Sequence, residues 1–525
     1  MGSPVSLKIS FQKSLQFEVP ISRIPASENK NGSTVWLILL FAAVLGANLS
    51  TGCNFAPSYK RPVTANPGAF KELTPETEKQ VDGWKTAEPN DTALRGKWWE
   101  MFNDPQLSAL EEQVNITNQT VAAALDNFLA ARAIVKQNRS QYFPGVTADP
   151  SVTRSRQAAR SSSVTPGGPG GKAITLTEIS LPLDATWEPD FWGRVRNSVR
   201  SSFYQAQASL ADLENTRLTV HAELASDYFQ IRSLDAQKTL LDNAVKAYRE
   251  SLRLTQVRHD TGIASDQDVA QAEIQLDSAE VQATDVGIQR AQLEHAVAVL
   301  VGKAPTDFSV PIAPLESKPM EIPFGVPSQL LERRPDIAAS ERRVAAANAQ
   351  IGVARSAYFP SITLSASGGY QSQSTVNLFS GPALFWSLGA AAAQTVFDAG
   401  YKFAVTEQVK AQYESQVATY RQTVLSAFQD VEDNLASLRL LSQEIHQQDA
   451  TVAASQRYLD LANDRYRLGI DSYLNVVTAQ TVLLNNQRAA VNLRFNQMNS
   501  TVQLIKAIGG GWNQSQTKDH ALSAN

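Results

Sequence analysis

The chain has 525 residues, with 47 basic and 51 acidic side chains and a formal net charge of −4. This near balance, without a basic domain, argues against a nucleic-acid partner. The only cysteine is Cys53, which excludes a disulfide within the chain, and no later run approaches the roughly eighteen apolar residues of a transmembrane helix.

The N-terminus has the pattern of a secretory signal. An uncharged apolar run at 35–47 follows four basic residues, Lys8, Lys13, Arg23 and Lys30. The run is too short to span a bilayer and suits the apolar part of a signal peptide, although a short buried helix is an alternative. We therefore expect residues 1–52 to be a signal peptide.

Directly after this run, residues 49–53 resemble a bacterial lipobox, in which the cysteine thiol becomes thioether-linked to diacylglycerol. Ser50 occupies the position where the pattern has an aliphatic residue, and Leu49 lies one position earlier. Asn54 after the cysteine is typical of an outer-membrane lipoprotein. A covalent lipid on Cys53 is the only cofactor expected, and an inert free thiol is the alternative.

The rest of the chain contains its landmarks twice. Tyr142-Phe143-Pro144 returns as Tyr358-Phe359-Pro360, and Gly193 is as far from Gly400 as Gly262 is from Gly469. One register that aligns distant landmarks indicates an internal repeat. We predict an extended N-terminal segment at 53–103, a first repeat at 104–310, a second at 311–512 and a flexible tail at 513–525.

Each repeat is predicted to contain one very long helix. Apolar residues recur at spacings of three, four and seven in 224–252 and again in 424–445, which is the coiled-coil pattern. Helix breakers are absent over most of 193–260 and 400–468, and helices of that length would extend about 100 Å. Shorter helices are expected at 265–302 and 473–508. Such helices suit a tube, a bundle or a spacer.

Two β-hairpins are predicted, at 145–187 and 360–397. In the first, Ile179, Leu181 and Leu183 alternate with polar residues, as expected for a strand with one apolar face. Each strand has about the ten residues needed to cross an outer membrane at a tilt. Four strands cannot close a barrel, and an open sheet in lipid leaves backbone groups unpaired. Several copies must therefore assemble, and three would supply twelve strands.

The two long helices are expected to end in matching turns. Gly262 and Gly469 each follow a heptad helix, where glycine suits the left-handed conformation that reverses the chain. We call the turns around these two glycines the tip turns.

Several motifs appear in a fixed order along the mature chain, and together they carry a resemblance. They are Tyr59-x-Arg61-Pro62, Trp98-Trp99-x-x-Phe102, Trp187-Glu188-x-Asp190-x-Trp192-Gly193, Arg333-Arg334-Pro335-Asp336 and Gly509-Gly510-Gly511-Trp512. The chain resembles outer-membrane factors of the TolC family, in the OprM- and NodT-like lipoprotein branch. The resemblance implies a mixed, mainly α fold with β-strands: a homotrimer whose 12-stranded outer-membrane barrel continues into a long α-helical periplasmic tunnel.

The resemblance also implies a function. Such a protein is the passive exit duct of a tripartite efflux pump, opened by a periplasmic adaptor and an inner-membrane transporter, most often of the RND type. A lipid-anchored periplasmic coiled-coil scaffold and a type I secretion duct are the alternatives. The five histidines are scattered without metal or catalytic-triad spacing, so no enzyme activity and no metal are expected.

A gate at the tip turns is a further implication of the resemblance. Tyr466 is expected to bond Asp268 and hold neighbouring coiled coils closed, while Arg465 and Arg258 either pair with nearby acids or complement the helix dipole. Family members commonly carry aspartates at two positions that are Asn475 and Thr478 here, so cation selectivity is in question. Asp471 either replaces those aspartates or is a solvated charge.

Overall fold

Long helices make up most of this computed structural model, which describes residues 54–64, 67, 70–72, 97–157, 173–315 and 334–510. These ranges all belong to one unit, Cys53–Asn525. The expected signal peptide, Cys53 itself and the expected tail at 513–525 lie outside the described residues.

Three of the described helices in each repeat match in order and length. The first contains α1 (Pro105–Thr117), α2 (Gln119–Ser140), α3 (Arg194–Asp260) and α4 (Asp266–Leu300), and the second contains α5 (Pro335–Ser356), α6 (Tyr401–Arg467) and α7 (Tyr473–Ala507). Helices α3 and α6 have 67 residues each, and α4 and α7 have 35 each. Within the described ranges, no helix offers an apolar stretch long enough to cross a bilayer.

Both long helices begin in the same way. Gly193 and Gly400 precede them in the left-handed conformation, with φ of 78° and 87°. An aspartate just upstream accepts backbone hydrogen bonds at the start of each helix: Asp190 from Val195 N and Arg196 N, and Asp398 from Gly400 N and Lys402 N. A carboxylate there satisfies free N–H groups and complements the helix dipole.

The strands form one antiparallel sheet. In it, β1 (Gly145–Ala148) and β2 (Ser151–Gln157) pair with β3 (Ile174–Trp187), which pairs with β4 (Ser361–Ser372), which pairs with β5 (Leu384–Ala393). The register on β3 continues unchanged from β1 to β2, so these two segments act as one strand interrupted at Asp149 and Pro150. Proline lacks the N–H that a strand ladder requires.

The register places apolar side chains on one face of this sheet, which we call the outward face. It includes Val146, Val152, Ile179, Leu181, Leu183, Trp187, Ile362, Leu364, Tyr370, Leu384, Trp386 and Leu388. Serine, threonine and other mainly polar or small residues occupy the opposite face. The alternation predicted from the sequence is therefore present in both hairpins.

Two predicted segments differ from the structure. The second hairpin was expected to extend to Phe397, but β5 ends at Ala393, which pairs with Ser361, the first residue of β4. Residues beyond Ala393 have no partner strand because Pro360, just before β4, lacks an N–H. In the segment predicted to be extended, Trp98–Phe102 forms a short 3-10 helix whose tryptophans are buried.

The main core connects the N-terminal segment to the middle of the helices. Trp98, Trp99 and Leu107 pack in one cluster with α3 residues such as Tyr228 and with Val424 of α6. Two smaller clusters follow the helices toward the tip turns, one around Leu241 and Tyr248 and one around Tyr473. Apolar contacts thus hold the tip region more sparsely than the middle of the protein.

Candidate functional site

Both tip turns have the same backbone geometry. Gly262 and Gly469 adopt φ of 76° and 72°. In each turn the residue after the glycine donates its N–H to the carbonyl five residues earlier, as in Ile263 to Arg258 and Ile470 to Arg465. The glycine itself donates to the carbonyl three residues earlier, as in Gly262 to His259 and Gly469 to Tyr466. This is the Schellman motif, which ends a helix and reverses the chain.

The helices that leave the two tip turns begin differently. Ser265 caps α4, and the Asp268 carboxylate accepts from the Ser265 backbone N–H and hydroxyl, both at 3.0 Å. This capping box satisfies free donors at the start of α4. Helix α7 also begins after a serine, Ser472, but this residue makes no side-chain cap. The two tip turns are therefore alike in backbone and unlike in side-chain chemistry.

The expected bond between Tyr466 and Asp268 is not made within one chain. The Asp268 carboxylate is held by Ser265. The Tyr466 hydroxyl is buried and has no hydrogen-bond partner among the described residues. Asp268 bonds Ser265 rather than Tyr466 because Ser265 and Asp268 are three residues apart in the capping box and meet without any packing between distant segments.

Arg258 connects the two tip turns instead. Its guanidinium carbon lies 4.4 Å from the centre of the Tyr466 ring, and its Nη1 donates to the Tyr466 carbonyl at 3.3 Å. The contact combines a cation–π interaction with a hydrogen bond to the negative end of the α6 dipole. Arg258 thus pairs with an aromatic ring and a helix end rather than with an acid.

Arg465, Asp471 and Asn475 form a separate network within the second tip turn. Arg465 Nε donates to Asp471 Oδ2 at 3.1 Å, and the Asn475 amide donates to the other carboxylate oxygen. Desolvation acts to raise the pKa of Asp471, but the hydrogen bonds from Asn475 and Arg465 outweigh it and hold the pKa below its ordinary value. Thr478 bonds the Leu474 carbonyl of its own helix. Asp471 is therefore a paired carboxylate rather than an isolated charge.

The sequence did not single out Tyr473. Its side chain is fully buried, its hydroxyl lies 2.9 Å from the Ser251 hydroxyl, and its ring centre lies 5.3 Å from that of Tyr466. Burial raises its pKa. Aligning the repeats could have found it, since Tyr473 corresponds to Asp266 and Tyr466 to His259, and these pairs differ in chemistry.

A buried polar pair lies away from the tip turns. His221 on α3 has Nδ1 2.6 Å from Glu111 Oε2 on α1 and Nε2 3.1 Å from the Asn115 side-chain oxygen, and Trp99 stacks on its ring. Burial, helped by Arg217, lowers the pKa of His221 to about 4, and burial raises the pKa of Glu111. We infer a protonated Glu111 that donates to a neutral imidazole. The described residues contain no cluster able to hold a metal ion.

This pair makes stability depend on pH. In the unfolded chain the ordinary pKa values are 4.5 for Glu111 and 6.5 for His221. Between these values the folded and unfolded pairs each hold one proton, so stability is flat. Above pH 6.5 the unfolded pair loses its proton, so stability falls by about 1.4 kcal/mol per pH unit until the pH reaches the raised pKa of folded Glu111. Between pH 4.5 and about pH 4 stability falls again, because the unfolded pair holds two protons while folded His221 takes up its proton only near pH 4.

We expect Glu111→Gln to remove the loss above pH 6.5, because glutamine donates the same hydrogen bond without titrating. The measurement is the apparent melting temperature of both proteins at pH 6 and pH 8. The wild type should melt lower at pH 8, and the variant should change less. Equal changes in the two proteins would show that Glu111 is not protonated in the folded state.

Comparison with known proteins gives one consistent result. The family model described as outer membrane efflux protein matches residues 107–303 and 326–510. The chain is 32% identical over 476 residues to the probable efflux pump outer membrane protein TtgC of Pseudomonas putida, covering 90% of this chain and 96% of that protein. It is 32% identical over 426 residues to the pyoverdine export outer membrane protein OpmQ of Pseudomonas aeruginosa, covering 79% and 87%.

Solved structures share the architecture. The outer-membrane channel OprN aligns with a TM-score of 0.76 at 27% identity, over 88% of this chain and all of its own. The CmeC outer membrane channel of Campylobacter jejuni aligns with a TM-score of 0.78 over 90% of this chain and 98% of its own, and at 23% identity this is a likeness of fold.

Proposed function

Because this chain belongs to the outer membrane efflux protein family, we propose that three copies of it form the exit duct of a tripartite pump. The protein is an outer-membrane channel component of an efflux system, not an enzyme, and its partners are a periplasmic adaptor and an inner-membrane transporter. We further propose that the assembly is a homotrimer, that the transporter is of the RND class and that the tip turns form a gate.

The strand pairing of the sheet supports a trimer. Among the described strands, β5 pairs only with β4, and β1 and β2 pair only with β3, so both edges of the sheet are free. Its outward face is apolar and suits lipid, where each unpaired backbone group costs several kcal/mol. Three sheets joined edge to edge would give twelve strands with no free edge.

A groove lies among four of the helices. Helices α2, α3, α5 and α6 pack side by side in that order and enclose a groove of about 660 Å³. Its lining is mostly alanine and uncharged polar side chains, including Ser198, Gln350 and Gln412, and its one arginine, Arg343, pairs with Asp212 of α3. Such a wall offers no strong binding site, which favours passive passage of varied solutes.

The tip turns would form the gate. Arg258 fastens the first tip turn to the second, and an adaptor that separates them would open the duct. The relatives are named for unrelated cargoes, toluene efflux in Pseudomonas putida and pyoverdine export in Pseudomonas aeruginosa, so one duct architecture serves varied solutes. A coiled-coil scaffold would not need the apolar sheet face, and a type I secretion duct is disfavoured by the same relatives.

We also propose that Cys53 carries a lipid. Its neighbour Asn54 accepts a hydrogen bond from Asn197 near the start of α3, and Phe55 stacks on Phe359 just before β4. Asn54 and Phe55, which directly follow the cysteine in sequence, therefore lie at the helix side of the sheet, where a membrane surface would lie. Intact mass of the mature protein should show the added diacylglycerol, and Cys53→Ala should lack it. A wild-type mass equal to that of an unmodified chain would refute the anchor.

The trimer is tested by electron microscopy of single particles extracted in detergent. We expect a hollow particle with threefold symmetry and helices about 100 Å long. A monomer or a solid rod would overturn the duct as proposed.

A further inference from the structure

Only two charged side chains lie on the outward face of the described sheet. Arg154 pairs in register with Thr177, and Arg156 with Thr175, so both arginines share the face of Val152 and Ile179. Both are exposed. The charged residues of β3, Glu178 and Asp184, fall on the opposite face.

The arginines lie just beyond the apolar band. From Trp187 to Ile179 the outward face of β3 is apolar for about 27 Å along the strand. If the strand tilts as in a membrane barrel, this length corresponds to roughly 20 Å along the membrane normal. Arg154 and Arg156 follow Val152 by about 7 Å and 13 Å along β2. They lie at the end away from the helices, which is the external side if the helices are periplasmic.

An aromatic contact lies near the same end of the apolar band, before the arginines along the strands. Tyr370 lies on the outward face opposite Leu181 and Leu384, near the end of the band, and Phe379 packs against it with ring centres 5.4 Å apart. Aromatic rings collect where hydrocarbon meets the headgroups. The arginines therefore fall at headgroup depth.

Among the residues that the structure describes, no carboxylate pairs with either of these arginines. In a trimer the edge strand β2 would meet β5 of the next copy, but residues 361–397 contain no acidic side chain. Arginine presents a planar fork of donors that matches phosphate.

We propose that Arg154 and Arg156 form a binding site for the phosphate groups of glycolipids in the outer leaflet of the outer membrane. The site rests on the proposed function, because it requires the strands to cross that membrane in an assembled barrel. One such site would lie on each chain, beside the junction with its neighbour.

The test is a lipid titration of the purified trimer, followed by native mass spectrometry. The probes are lipid A with both phosphates and the same lipid without them. We expect the wild type to prefer the phosphorylated form, and Arg154→Gln with Arg156→Gln to weaken its binding roughly thirtyfold, from about 1 kcal/mol per arginine near an anionic surface. Arg154→Lys with Arg156→Lys should retain most of the binding.

A matched control separates position from net charge. Adding Thr153→Arg and Ser155→Arg to the glutamine variant restores both charges on the opposite face of β2, so lipid binding should stay weak. Inorganic phosphate is then added as a competitor. Displacement of the lipid by phosphate would show a site for the phosphate group alone, and retention of the lipid would show that the rest of the lipid is also needed.

Equal affinity of the wild type for the two lipids would overturn the inference, as would recovery of binding by the control charges. If the glutamine variant does not assemble, the comparison of the two lipids on the wild type still decides. Failure of the wild type to form a trimer would instead refute the proposed function.

Discussion

Asp235→Ala is expected to destabilise the folded chain by about 3–5 kcal/mol, because it removes the carboxylate shared by the buried Arg232 and the partly buried Arg290. The Asp235 side chain is 2% exposed and accepts from Arg290 Nε at 2.6 Å, with Arg232 Nη1 3.5 Å away. It also accepts from the Ala313 backbone N–H at 3.2 Å. One carboxylate thus joins α3, α4 and the start of the segment that connects the two repeats.

The measurement is unfolding of the purified protein by denaturant, followed by helical circular dichroism. Asp242→Ala is the matched control. Asp242 lies on the same helix and pairs with Lys238, but both side chains are over 40% exposed, so its loss should cost at most about 1 kcal/mol. Equal losses of unfolding free energy in the two variants would mean that the burial of Asp235 does not determine its contribution to stability.

Arg258→Met is expected to open the duct. The substitution removes both the contact with the Tyr466 ring and the bond to its carbonyl while keeping an apolar side chain of similar length. If the contact contributes about 2 kcal/mol, its loss shifts the ratio of open to closed tips roughly thirtyfold for each chain. Single-channel current in a planar bilayer should therefore rise clearly above that of the wild type.

Arg253→Met is the control for this variant, since Arg253 lies five residues earlier on α3, is exposed and pairs with Glu250 on its own helix. Its current should match that of the wild type. Tyr466→Phe with Asp268→Asn should raise the current much less than Arg258→Met, because the two side chains do not bond each other within a chain. If this pair opened the duct equally well, a bond between Tyr466 and Asp268 of different copies would be the gate instead.

The architecture could be predicted because its signals are local or periodic. Long runs without Gly or Pro predicted α3 and α6, glycine predicted the tip turns, and alternation predicted the apolar face of the sheet. The contacts of the gate could not be predicted in the same way. Ser265 and Asp268 have the spacing of a capping box, yet the sequence does not say whether the carboxylate serves the box or a distant tyrosine.

The partners of titratable side chains inside the helix packing could not be predicted either. Glu111 and His221 lie far apart in sequence, and they meet only because α1 packs on α3. Arg258 and Tyr466 are separated by about one full repeat. Which side chains face each other across two helices depends on the relative rotation of those helices, and heptad spacing alone leaves that rotation open.

The difference between the two tip turns has a consequence for stoichiometry. In a trimer each chain would present two tip turns, one followed by the Ser265 and Asp268 box and one followed by the uncapped start of α7. Six hairpin ends would then alternate between two chemical types around the ring. A partner built from six identical subunits would have to bind them in two non-equivalent ways, and a partner built from three could select one type alone.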